Sequence, residues 1–139
     1  MALANGLTNP VASRGMANTL VCVAGTVAVG TAGLALNAVT PLVRVPKGFT
    51  LIHATLEATD MDTNGTPLLT LAVGDATDND RILTGLTIGR TGGISSAIDV
   101  AGHQFRYTEE TTINLTATAA AATAAAGTVQ ISLLGVIDA

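Results

Sequence analysis

The chain has 139 residues, a length typical of a single domain. Hydrophobic residues make up 48% of it but charged residues only 12%, against about a quarter in an average soluble domain. The high apolar content excludes disorder caused by low hydrophobicity. The net charge of −4 argues against a general nucleic-acid binder. The single Cys22 excludes an internal disulfide and a cysteine-rich zinc site, so we expect it to be a small buried hydrophobic residue.

The first 18 residues, MALANGLTNPVASRGMAN, predict an extended arm outside the core, because Asn, Gly and Pro interrupt their few apolar side chains. An arm that orders on a neighbouring molecule adds contact area to an interface. The alternative is a terminus without fixed structure. On the first interpretation the residues expected to contact a partner are Leu3, Leu7, Pro10, Val11, Arg14 and Met16.

Residues 15–43 carry no charge, and this run exceeds the roughly 20 residues that cross a bilayer. Its composition nevertheless favours a strand, because Gly, Thr and Pro interrupt it and it has no aromatic residue for a membrane interface. Between Val21 and Val29 the bulky side chains fall on odd-numbered positions and smaller ones on even-numbered positions, which is the period of a strand. We therefore predict strand, with a membrane-associated segment over residues 15–43 as an alternative.

From Phe49 onward apolar and polar residues alternate in short runs that are separated by turn residues. Such runs bury one face and expose the other, as antiparallel strands of a sandwich do. We predict an all-β fold in which residues 19–139 form an antiparallel, jelly-roll-like β-sandwich. About eight strands are expected, near residues 19–29, 35–45, 49–59, 67–73, 81–89, 95–100, 104–117 and 128–137.

Three segments mark connections between these strands. Asn64-Gly65 is the strongest hairpin signal in the chain, and Gly74–Asp80 predicts a further turn. The alanine-rich stretch Ala117–Gly127 predicts a long hairpin or an Ala-rich connection, because a helix this short is marginal alone.

Acidic residues form two candidate cation loops. Asp60–Gly65 matches the opening of an EF-hand loop, but Leu71 stands where the loop requires a bidentate acid, so we interpret the segment as a turn. Asp75, Asp78 and Asp80 form a second acidic loop whose oxygens are weak candidates for a hard cation. In the alternative interpretation these Asp side chains cap backbone N–H groups of an exposed loop.

No constellation of residues supports catalysis. His53 and His103 have no spaced His or Cys partner, and the adjacent Glu109 and Glu110 point to opposite faces of a strand. No GxSxG, GxGxxG or P-loop motif occurs. We expect no enzyme activity and no cofactor, and we expect the few aromatic residues to pack in the core.

Four segments follow one another in order within residues 40–138: the strand entry at Pro46–Phe49, the TLAVGD strand with its acidic loop at Thr70–Asp80, the strand YTEETTINLT at Tyr107–Thr116, and the last strand at Gly127–Ile137. In this order they resemble small structural proteins of tailed-bacteriophage heads. These proteins are the decoration or cement proteins of the capsid, which have a jelly-roll-like sandwich.

The resemblance implies a structural protein of the virion. Such a protein binds the major capsid protein on the outer surface of the head, associates with itself as trimers or dimers, and stabilises contacts between capsomers. It implies no nucleic-acid or membrane partner and assembly in the cytoplasm of a bacterial host. A tail, fibre-base or receptor-binding module with the same sandwich is an alternative, although the chain is small and poor in aromatic residues for that role.

Overall fold

A computed structural model describes residues 19–137, which fold into strands joined by loops and two short 3₁₀ turns at Thr31–Leu34 and Ile88–Arg90. The predicted arm, with Leu3, Leu7, Pro10, Val11, Arg14 and Met16, lies outside the described residues, and the boundary at residue 18 stays a prediction. Within the described residues the strands β1 to β8 are Thr19–Val29, Val39–Val45, Phe49–Ala58, Thr70–Gly74, Leu83–Leu86, Gly93–Ser95, Thr111–Ala119 and Gly127–Ile137.

The strands form two antiparallel sheets of four, in the orders β1-β8-β3-β6 and β2-β7-β4-β5. The antiparallel pairs are therefore nested in sequence: β4/β5 lies inside β3/β6, which lies inside β2/β7, which lies inside β1/β8. Successive pairs belong alternately to the two sheets. This is the topology of a jelly roll. The structure confirms the predicted all-β sandwich and its jelly-roll-like arrangement.

The described part of the uncharged run at residues 15–43 contains β1, the 3₁₀ turn at Thr31–Leu34 with a short loop, and the beginning of β2. Val29 is buried and Val23 and Val27 pack against the core, whereas even-numbered residues of β1 such as Ala24 and Thr26 are exposed. The alternation predicted from sequence is confirmed. Among the described residues, no helix has the length and apolar character needed to span a bilayer.

Two predicted connections are wrong in detail. The turn at Asn64-Gly65 does not close a hairpin, because β3 and β4 lie in different sheets and the segment between them crosses the sandwich. The predicted strand at residues 104–117 is also divided. Tyr107 N–H donates to Phe49 O at 2.8 Å beside β3, whereas residues 111–119 belong to the other sheet. The exposed residues 108–110 carry the chain from one sheet to the other.

The core lies between the sheets and is filled mainly by Leu, Ile and Val, with Phe49 fully buried at one end. Gly135 on β8 makes room for that ring, since a Cβ at this position would lie 2.6 Å from Phe49 Cζ and would overlap Thr50 O. Glycine is therefore required here by close approach.

The two ends of the sandwich differ in composition. One end, which we call the charged end, is formed by residues 46–48, 75–82 and 96–110 and carries most of the ionisable loop residues. The first and last described residues, Thr19 and Ile137, pair with each other at this same end. The opposite end, which we call the apolar rim, is formed by residues 30–38, 59–69, 87–92 and 120–126.

Candidate interaction surfaces

Asp75 organises the loop between β4 and β5 at the charged end. Its side chain is 5% exposed. Its Oδ1 accepts the backbone N–H groups of Thr77 at 3.0 Å and Asp78 at 2.9 Å. Its Oδ2 accepts Arg81 Nε–H at 2.7 Å and the Tyr107 hydroxyl at 3.2 Å. Protein donors thus occupy both oxygens of this carboxylate.

The charges in this loop shift one another's pKa. Burial raises the pKa of Asp75, but hydrogen bonds from Arg81 and from the backbone outweigh burial and hold that pKa below its ordinary value. Burial and the neighbouring Asp75 charge raise the pKa of Tyr107. The guanidinium of Arg81 also lies 3.9 Å from the centre of the Phe105 ring, which meets the Tyr107 ring edge-on at 4.9 Å. The aromatic residues pack as expected and hold the loop against residues 105–107.

The weak cation candidates are therefore used by the protein itself. Asp75 is paired with Arg81, Asp78 Oδ2 lies 4.0 Å from Arg81 Nη1, and Asp80 Oδ2 accepts the Thr84 hydroxyl at 3.3 Å. Among residues 19–137 no group of three or more His, Cys, Asp or Glu side chains is arranged to hold a metal ion. The loop is a structural clasp in which Asp side chains cap backbone N–H groups.

A second buried carboxylate, Asp62, fixes the apolar rim. It is 1% exposed, and Asp62 Oδ2 accepts the backbone N–H groups of Leu68, Leu69 and Ala122 at 2.8, 3.0 and 2.9 Å. Asp62 Oδ1 accepts Thr123 N–H at 2.9 Å. Burial raises the pKa of this carboxyl, but the four backbone hydrogen bonds outweigh it and hold the pKa far below its ordinary value. Asp62 thus joins the segment before β4 to the segment after β7.

The surface that Asp62 supports is apolar and exposed. Leu36 is 61% exposed and Leu68 is 55% exposed. The two segments that carry them meet the alanine-rich connection, because Ala121 N–H donates to Leu34 O at 3.1 Å and Leu68 shares Asp62 Oδ2 with Ala122. Exposed alanines complete the surface: Ala32, Ala35, Ala120, Ala122, Ala124 and Ala126.

Few charges interrupt this rim. Within its four segments the ionisable residues are exposed Asp60, buried Asp62 and half-buried Arg90. Arg90 is held inward, since its Nε–H donates to Leu69 O at 2.8 Å and its Nη2 donates to Thr70 Oγ1 at 3.1 Å. Charge depletion around exposed large apolar side chains is typical of the centre of a protein–protein interface.

Of the other residues singled out from the sequence, Cys22 and His53 lie on strands apart from these surfaces, and His103 belongs to the charged end. Cys22 is exposed on β1, so the expectation that it is buried is wrong. The reason is its even position, which turns it away from the core that the odd-numbered valines face. His53 is exposed on β3, where its Nε2 lies 3.4 Å from Thr55 Oγ1, and His103 is exposed at the charged end.

Sequence reasoning missed the apolar rim. Its members come from four separated segments, and the Asp62 carboxylate, which joins two of them, meets donors about 60 positions further along the chain. The one available signal was the near absence of charge in residues 30–38 and 120–126.

Comparison with known proteins gives structural matches only, since no protein-family model and no curated protein sequence matches the chain. The fold is similar to a chain of the cyanophage Pam1 capsid asymmetric unit, with a TM-score of 0.78 and 28% sequence identity over 99% of this chain and 98% of that chain. A chain of the capsid of Ralstonia phage GP4 matches with a TM-score of 0.78 and 21% identity, over 94% of this chain and 92% of that chain.

A third similar structure is a chain of the acidic stable capsid structure of Helicobacter pylori bacteriophage KHP30, with a TM-score of 0.58 and 14% identity over 88% of this chain and 94% of that chain. At their identities the second and third matches bear on the fold alone. The first extends over almost the full length of both chains. This first match supports a phage capsid-associated protein and, at that level, confirms the resemblance noted in the sequence.

Proposed function

We propose that the chain is a capsid decoration, or cement, protein that binds the outer surface of a phage head and stabilises contacts between capsomers. The observation that carries this proposal is the full-length similarity to a chain of the cyanophage Pam1 capsid asymmetric unit. The partner is the major capsid protein, and the chain acts by non-covalent binding without catalysis or a cofactor.

The apolar rim is the surface assigned to the capsid. Leu36 and Leu68 are anchors that a partner surface can bury, and the surrounding alanines allow close approach of another backbone. The rim is also ordered before binding, because Asp62 and Arg90 already fix its segments. A preorganised surface loses less conformational entropy on association than a flexible one.

The charged end is assigned to solvent. It carries the acidic residues Asp78, Asp80, Glu109 and Glu110, whose side chains would lose hydration if they were buried in a shell. The rim and the charged end lie at opposite ends of the strands, so binding through one leaves the other exposed.

The test is binding of the purified chain to heads that lack it. Wild-type chain is expected to co-sediment with such heads and to raise the temperature at which they disrupt in a thermal scan. Immunogold labelling then locates the chain, and label on tails or fibres in place of heads would favour the tail-module alternative. Absence of both binding and stabilisation at saturating chain would refute the cement function.

Paired variants test the rim itself. Leu36→Asp and Leu68→Asp place charge on exposed apolar positions, and each is expected to weaken head binding about tenfold or more without unfolding the chain. The matched control is Val100→Asp, which adds the same charge at an apolar residue that is 92% exposed near the charged end. Equal loss of binding in all three variants would show that the rim is not the contact.

A further inference from the structure

A cavity of about 420 Å³ lies on the outer face of the sheet β2-β7-β4-β5. Asn114 and Thr116 line it from β7, where they alternate with the core residues Ile113 and Leu115 and therefore point away from the core. Val39 of β2, the register partner of Thr116, lies at one side of the cavity. The floor of the cavity is thus regular sheet.

The loop between β4 and β5 forms the wall on the other side of β7. It folds back over the sheet at Gly74, the register partner of Asn114, where a Cβ would lie 2.5 Å from the carbonyl carbon of Asn79. Glycine at this position allows the close approach of the loop. The Asp75 clasp fixes the same loop, so Ala76 and Asn79 are held at the cavity before any ligand binds.

A third asparagine completes the lining. Asn37 precedes β2 with a positive φ of 63°, a conformation that asparagine tolerates better than most residues, and its N–H donates to Ala117 O at 2.7 Å. The side-chain amides of Asn37, Asn79 and Asn114 have no hydrogen-bond partner among residues 19–137. The cavity therefore offers three free amides, each with a donor and an acceptor.

The hydroxyl of Thr116 is the observation that points to a ligand. Thr116 is 3% exposed, and among the residues that the structure describes its Oγ1 has no hydrogen-bond partner. A buried hydroxyl without a partner costs free energy and is uncommon in folded proteins. A polar ligand in the cavity supplies the missing partner.

We propose that this cavity binds a neutral saccharide, whose hydroxyl groups contact Asn79, Asn114 and the Thr116 hydroxyl. Each sugar hydroxyl both donates and accepts, so neighbouring hydroxyls match the two ends of an asparagine amide. Val39 is 56% exposed and offers an apolar contact to the C–H groups of the sugar ring. This binding does not depend on attachment to a capsid.

The lining disfavours other classes of ligand. Asp75 is the one ionisable residue among the described residues that line the cavity, and protein donors already occupy both of its carboxylate oxygens. A charged ligand therefore finds no charge to pair with. None of the described lining residues is aromatic, so a nucleobase finds no stacking surface. Hydrogen bonds in a wet, open cavity predict weak binding of a single sugar, with a Kd of about 1 to 10 mM.

Titration of the isotope-labelled full-length chain, followed by NMR, tests the proposal. The probes are glucose, galactose, mannose and N-acetylglucosamine, each added alone, and tetraglycine, which offers amides without sugar hydroxyls. At least one sugar is expected to shift the side-chain NH₂ signals of Asn79 and Asn114 with a Kd of about 1 to 10 mM. Tetraglycine is expected to shift neither signal.

Thr116→Val removes the hydroxyl but keeps the shape of the side chain. Because the hydroxyl lacks a partner in the free chain, this variant is expected to keep or raise Tm while raising the sugar Kd about three- to tenfold. Thr112→Val is the matched control, since it makes the same change on the same face of β7 outside the cavity and is expected to leave the Kd unchanged. Asn79→Ala removes one amide from an exposed loop position and is expected to raise the Kd without unfolding the chain.

The opposite results are equally clear. No shift with any of the sugars at about ten times the expected Kd would overturn the proposal, as would shifts with tetraglycine in place of the sugars. A Thr116→Val variant with a lower Tm and an unchanged Kd would show that the hydroxyl has a structural role. Sugar binding only by a chain that lacks residues 1–18 would also overturn the proposal, because the arm would then fill the cavity.

Discussion

The Asp75 clasp permits a quantitative prediction, because each of its contacts can be removed separately. Asp75→Asn keeps the size of the side chain but removes the charge that faces Arg81, and the new amide places an N–H group against the Arg81 Nε–H donor. Arg81 is 14% exposed, so its charge remains largely buried without its closest partner. Breaking one side of such a pair costs about 3 to 5 kcal/mol.

The lower end of that range is expected here, because Asp78 Oδ2 stays 4.0 Å from Arg81 Nη1. Tyr107→Phe removes one hydrogen bond of 3.2 Å to Asp75 while the ring contact with Phe105 stays, and is expected to cost about 1 to 1.5 kcal/mol. Asp78→Asn is the control. It removes the more distant and more exposed of the two carboxylates that face Arg81, and its expected cost in stability is below about 1 kcal/mol.

Urea unfolding followed by circular dichroism measures these differences. A loss of about 3 kcal/mol for Asp75→Asn corresponds to a fall in Tm of about 10 °C for a domain of this size. The folded-state pKa of Asp75 is lowered, so its stabilising contribution is present above its ordinary pKa of about 3.9 and is lost as the pH falls below about 4. The gap between wild type and Asp75→Asn should narrow there. A cost for Asp75→Asn no larger than that for Tyr107→Phe or Asp78→Asn would refute the reasoning.

Two further predictions concern the rim and the core. Asp62→Asn is expected to lower Tm at neutral pH and to speed amide exchange at Leu68 and Thr123 about tenfold, because a neutral amide holds their N–H groups less strongly. Since the pKa of Asp62 is lowered, the difference from wild type should shrink below about pH 4, and unchanged exchange would count against the anchor. Gly135→Ala is expected to cost about 1 to 3 kcal/mol by overpacking, whereas Gly30→Ala, where a new Cβ meets no atom within 4 Å, is expected to be near neutral in the same unfolding assay.

The fold class was predictable because the alternation of apolar and polar residues shows which face of a strand is turned toward the core. The valines of β1 are an example, since their spacing alone indicated a strand with one buried face. The same reasoning, applied fully, places the even-numbered Cys22 on the outer face, where the structure has it. The expectation of a buried cysteine came from residue type, and position overrode it.

Alternation carries no information about which sheet a residue joins. Residues 104–117 carry apolar residues at odd positions on both sides of the polar stretch 108–112, yet Tyr107 pairs with β3 in one sheet and Ile113 with β2 in the other. The Asn64-Gly65 signal likewise predicts a change of direction but not the partner of the next strand. The candidate site was even harder to predict from the sequence, because Asp62 and Ala122 are 60 residues apart in the chain and meet only in the folded sandwich.

The nesting of strands has a consequence for how the chain is made. β1 is the first of the described strands to be synthesised, and its neighbour among them, β8, ends at Ile137. At about 5 to 20 residues per second, the uncharged strand emerges from the ribosome about 5 to 20 seconds before the segment that covers one of its edges. During that interval no other described strand covers an edge of β1, so a polypeptide truncated before Gly127 should aggregate during translation even though it contains every strand up to β7.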